Sequence, residues 1–69
     1  LYGLTPAEAR LALALYQGDT PAQAAQHLGI SVGTVRIQLK AIFTKMAIHR
    51  QVDLVRMLAK LGGGAHARD

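Results

Sequence analysis

The chain has 69 residues, 51% of them apolar, no cysteine and a formal net charge of +4. That length allows one small domain with a single marginal core and leaves no room for an enzyme cleft between domains, while the missing thiols exclude disulfides and thiolate zinc sites. The longest apolar run, Leu11 to Tyr16, falls far short of the roughly 20 residues that span a bilayer, so a soluble, cytoplasmic protein is expected.

Leu1 stands where an initiator methionine would, and no basic stretch followed by an apolar core opens the chain. A piece of a longer protein, without a signal peptide, is the expectation. Thr5-Pro6-Ala7-Glu8 then reads as a helix start: a hydroxyl cap, proline in the first turn and a glutamate three residues after the cap. The first helix is predicted over about 6–17, with Leu11, Leu15 and Ala14 on its inner stripe and Gly18 closing it. Thr20-Pro21-Ala22-Gln23 repeats the same start, and the second helix is predicted over about 21–27. Its inward patch is Ala24, Ala25 and Leu28, where small side chains let a neighbouring helix approach closely.

Gly29 stops that helix and Ser31 caps the next, so two helix starts are separated by one tight turn. This is the pattern of a helix-turn-helix. The third helix is predicted over about 32–46. At 100 degrees per residue, Val35, Leu39, Ile42 and Met46 share the core stripe, bordered by Phe43. Gly33, Arg36, Ile37, Lys40 and Thr44 fall on the opposite side, and Thr34, Gln38, Ala41 and Lys45 form a rim between them. A fourth helix is predicted over about 51–61, with Leu54, Val55, Leu58 and Leu61 on its apolar face, though none of Ile48, His49 and Arg50 is a favoured cap. Three successive glycines, Gly62 to Gly64, are expected to end order, which divides the chain into a domain over 1–61 and a flexible tail over 62–69.

Charge is distributed unevenly along this plan. Between Thr20 and Val52 there is no Asp or Glu, whereas Arg36, Lys40, Lys45 and Arg50 all lie there. Such a helix is suited to an anion, above all duplex DNA. Arg36 and Lys40, four residues apart near the start of the third helix, are placed to reach base edges in a major groove, with Ile37 beside them facing a thymine methyl. Ser31, Thr34, Lys45 and Arg50 flank that face and are candidates for phosphates, joined by Thr20 at the preceding helix start. For Ser31 and Thr20, capping alone is the other reading; for Gln38, a phosphate contact, a base contact and a plain surface amide all stay open. His27, His49 and His66 lack the spacing of a metal site, and nothing in the chain points to catalysis or a cofactor.

In this order and spacing the residues resemble the LuxR-type (GerE-like) DNA-binding domain of bacterial response regulators and quorum-sensing activators. The likeness covers about 4–61 and rests on Leu4-Thr5-Pro6-Ala7-Glu8, on Ala24 through Ser31 across the turn, on Thr34-Val35-Arg36, on Ile42-Phe43-Thr44-Lys45-Met46, and on Arg50-Gln51-Val52-Asp53-Leu54-Val55. The resemblance implies an all-α, four-helix LuxR-type helix-turn-helix domain at the C-terminus of a longer regulator, behind a sensory or receiver domain. It implies base contacts from Arg36, Ile37 and Lys40 and phosphate contacts from Thr34, Lys45 and Arg50. It also implies a homodimer on double-stranded DNA through the fourth helix. Two positions depart from the family's habit: Gln38 stands where many members carry His, and Ala47 where Gly is common. On the fourth helix Val52, Met57 and Leu61 form either a dimer patch or the last part of the monomer core. A rival of another class is a protein-interaction module whose basic helix docks on an acidic partner such as RNA polymerase.

Overall fold

The computed structural model describes residues 3–63, and all of its regular structure is helical. Helix α1 is Pro6–Tyr16, α2 is Pro21–Leu28, α3 is Val32–Met46 and α4 is Gln51–Leu58, followed by a π-helical turn, Ala59–Gly63. Local chemistry sets three of the four helix starts. At Thr5 and Thr20 the threonine hydroxyl accepts the backbone N–H of the third helical residue, and the Glu8 or Gln23 side chain accepts the N–H of the cap in return. Ser31 accepts the Thr34 N–H at 3.0 Å. Arg50, at the start of α4, makes no side-chain cap, as the sequence suggests.

Three helix ends use one device. The chain turns left-handed after the last helical residue, and the next two N–H groups bond back to orphaned carbonyls. After α2 the turn residue is Gly29, at φ +70°, with the Ile30 N–H reaching Ala25 O at 3.0 Å. After α1 it is Gly18, with Asp19 N–H on Ala14 O at 3.1 Å. After α3 it is Ala47, at φ 55° and ψ 44°, with Ile48 N–H on Phe43 O at 3.0 Å. An L-residue with a Cβ is strained there by roughly 1–2 kcal/mol, whereas glycine is not. Ala47→Gly is therefore expected to stabilise the domain by about 1 kcal/mol after the extra freedom of the unfolded chain is subtracted. A thermal melt would read this as a rise of about 4–8 °C, and a fall would mean the turn relaxes in solution.

The core is one cluster in which α1 packs against α2, α3 and α4, and α2 packs against α3. Leu11, Leu15, Ala24, Val35, Ile42 and Leu54 are essentially inaccessible, with Ala12, Ala25 and Met46 nearly so. Val35, Ile42 and Met46 thus occupy the inner stripe of α3 as predicted, with Leu39 and Phe43 half-buried against it. Ala12 was not on the predicted stripe of α1; it is buried because α1 meets helices on more than one side.

The end of α4 differs from expectation. The α-helix, expected to about residue 61, stops at Leu58, and the chain continues through the π turn Ala59–Gly63. Leu61, predicted on the buried face, is half-exposed, since the wider turn changes the angular spacing that would have continued the stripe. Of the tail expected over 62–69, residues 64–69 lie outside the described residues.

Candidate nucleic-acid interface

The outer face of α3 is built by the burial of its opposite face. Once Val35, Ile42 and Met46 are fixed in the core, the 3.6-residue period carries Arg36, Ile37, Lys40 and Thr44 outward, and all four are exposed. Ile37 is the extreme case, a β-branched apolar side chain that is 73% exposed. Among the described residues neither Arg36 nor Lys40 is in an ion pair. Thr44 turns its hydroxyl back onto the Lys40 carbonyl at 3.0 Å, so that donor is spent within the helix.

At the entrance to α3 the hydroxyls form a short chain. Ser31 Oγ accepts the Thr34 N–H and donates to Thr34 Oγ1, both at 3.0 Å. The Ser31 proton is thereby used, while the Thr34 hydroxyl keeps its own proton to give. Thr20 is in the same position, since its oxygen accepts from Gln23 N–H at 3.1 Å and its hydroxyl proton is left over.

The other two cations of the acid-free stretch are already matched by carboxylates outside it. Arg50 faces Asp53 across one turn of α4, with Nη2 to Oδ1 at 3.3 Å and Nε to Oδ2 at 3.4 Å. Lys45 reaches back to α1, its Nζ 2.6 Å from Glu8 Oε1. Glu8 is the one buried charged residue among those described, 8% exposed, and the same Oε1 accepts the Thr5 N–H at 2.9 Å. The Lys45 ammonium, followed by the Thr5 backbone N–H, holds the Glu8 carboxyl below its ordinary value of 4.5 against the opposing effect of burial. A carboxyl depressed by folding contributes stability above that ordinary value and loses it as pH falls through the lower, folded value. The difference in urea midpoint between the wild type and Glu8→Gln is therefore expected to shrink as the pH is taken below 4.5, and a constant difference would contradict it.

Gln38 is turned partly inward. Its Oε1 is buried with no hydrogen-bond partner, beside a small cavity of about 50 Å³ that Ala7, Arg10, Leu28 and Ile30 also line. With the oxygen enclosed, the amide nitrogen is the atom left for an outside contact, and a nitrogen donor is what a phosphate takes. On α4, the three candidate dimer residues do not share one surface. Val52 is 46% exposed. Met57 packs against the core and lines a cleft with Ile48, His49 and Arg56, whereas Leu61 lines a groove with Leu4, Leu13 and Tyr16 of the α1 side. Asp19 Oδ2 lies 2.7 Å from His27 Nδ1, an exposed contact spanning α2 that the sequence did not suggest.

Among the described residues no group of three His, Asp or Glu could hold a metal ion, and no helix is long and apolar enough to cross a membrane. Neither a curated protein nor a solved structure matches the chain. The family model of bacterial regulatory proteins, luxR family, matches residues 3–58, from the turn before α1 to the last residue of α4. With all four helices inside that match and α2 and α3 arranged as a helix-turn-helix, the chain belongs to the luxR family of bacterial regulatory proteins and is a DNA-binding domain of the transcription-regulator type.

Proposed function

We propose that this domain reads the sequence of duplex DNA by laying α3 in the major groove, with Arg36, Ile37 and Lys40 facing the bases. The observation that carries the reading is the outer face of α3: two cations without ion pairs among the described residues and one bare apolar side chain, all within the first three turns of a capped helix. Arginine can pair bidentately with guanine O6 and N7, lysine can do so less directionally, and isoleucine can meet a thymine methyl. Thr34 and Thr20, each with a hydroxyl proton to give, and the Gln38 amide nitrogen serve phosphates on either side, fixing register without reading sequence. Ser31 acts mainly through Thr34. Arg50, held only loosely by Asp53 and 68% exposed at its side chain, can exchange that partner for a phosphate.

On an inverted repeat two copies would stand with half-sites about one helical turn apart, Val52 providing the exposed apolar contact of α4. Selection from a random duplex pool tests the reading. Enrichment of an inverted repeat is the expected result. Enrichment of a single half-site would keep base reading and remove the dimer. Salt-sensitive binding with no enrichment would leave a basic surface that docks on acidic partners.

A further inference from the structure

The Lys45 ammonium makes the shortest ion pair among the described residues. It sits 2.6 Å from Glu8 Oε1, its side chain is 35% exposed, and the Glu8 side chain is 10% exposed. The same Glu8 oxygen also closes the cap of α1 by accepting the Thr5 N–H, so its position is fixed from within α1 as well. The contact joins residues 37 apart in the chain and ties the last turn of α3 to the first turn of α1.

From this geometry we infer that Glu8 occupies the place a DNA phosphate would take at Lys45, so that Lys45 is a positioning residue for the recognition helix and not a phosphate ligand. The inference rests on the DNA reading above and narrows it, since it removes one of the cations expected to meet the backbone. The physical reason is a comparison of two states. For Lys45 to serve a phosphate it must leave a carboxylate that is only 10% exposed without its counter-charge, which costs more than a solvent-exposed ion contact contributes. Lysine is a point charge on a flexible stem, so it does not bind two anions at once with the fork geometry that arginine offers. In return, the pair holds the C-terminal end of α3 against α1, which fixes the direction in which Arg36 and Lys40 leave the surface.

Salt dependence reads this directly. Each cation that neutralises a phosphate on duplex DNA releases counter-ions and adds about 0.9 to the slope of log K against log salt. A role confined to folding moves affinity or stability but not that slope. Glu8→Gln is expected to free the ammonium, steepen the slope by about 0.9 and tighten binding to selected and unselected duplexes alike at low salt. The double variant Glu8→Gln with Lys45→Gln replaces the ion pair by two neutral amides and is expected to keep the wild-type slope. An unchanged slope in Glu8→Gln, or a slope flattened by about 0.9 in the double variant, would overturn the assignment. The double variant decides the matter even where the single variant does not fold, because it leaves no buried charge unpaired. A wild-type affinity that does not fall with salt removes the DNA reading and this assignment together, whereas a steep wild-type slope with a flattened double variant removes this assignment alone.

Discussion

Leu54→Ala is expected to bring the isolated domain close to its unfolding midpoint at room temperature. Leu54 is 0% exposed and is the one side chain of α4 that is fully buried. Through it α4 is docked on α1. Truncating a leucine at such a site removes its transfer free energy and leaves a cavity, together about 2–5 kcal/mol. A domain of this size has a total stability of roughly 3–10 kcal/mol, so the loss is a large fraction of the whole. Urea denaturation followed by helical circular dichroism would show the midpoint falling steeply. Val55→Ala, at a half-buried neighbour, should cost about 1 kcal/mol and serves as the comparison. Because DNA binds only the folded form, a high concentration of a selected duplex should restore part of the helical signal of Leu54→Ala. A midpoint shift no larger than that of Val55→Ala would mean that α4 is not part of the cooperative core.

The same distinction between local and distant causes decides how much of the molecule the sequence made legible. The starts at Thr5, Thr20 and Ser31 and the full extent of α3 were readable because a capping hydroxyl, its N–H partner and a helical apolar stripe all lie within a few residues of one another. The outer face of α3 followed from the same period. What was not readable depends on contacts between residues far apart. No acid lies between Thr20 and Val52, yet Lys45 finds its carboxylate at Glu8, on another helix. Glu8 was recognisable as a cap, but its burial arises only where α1 crosses α3. The sequence leaves Met57 between a dimer patch and the monomer core, and its half-burial against the core is set by how α4 lies on the rest of the domain. Ala47 is a different case. Nothing in the intrinsic preference of alanine predicts a left-handed turn, and it adopts one because Phe43 and Ile48 are both held against the core on either side of it. The π turn after Leu58 has no signal in the sequence beyond the glycines that follow it.

Arg36→Ala is expected to lower affinity for the selected duplex by about 1–3 kcal/mol, or roughly 5- to 150-fold, while affinity for unrelated duplexes changes little. The asymmetry follows from what the arginine touches. A guanidinium meeting guanine O6 and N7 contributes only where the guanine is present, whereas a guanidinium on a phosphate contributes to every sequence alike. Arg36 is exposed and makes no ion pair among the described residues, so its removal should leave the thermal midpoint almost unchanged, and the loss can be assigned to binding. Arg36→Lys should recover little, because a point charge does not reproduce two parallel hydrogen bonds. Titrations of the wild type and Arg36→Ala against duplexes altered one base pair at a time form a set of double-mutant cycles. At the guanine that Arg36 reads, the base change and the substitution should each remove the same contact, so their combined loss falls short of the sum by about 1–3 kcal/mol. At every other position the two losses should add. Additivity throughout, with equal weakening on all duplexes, would place Arg36 on the phosphate backbone and leave base reading to Ile37 and Lys40.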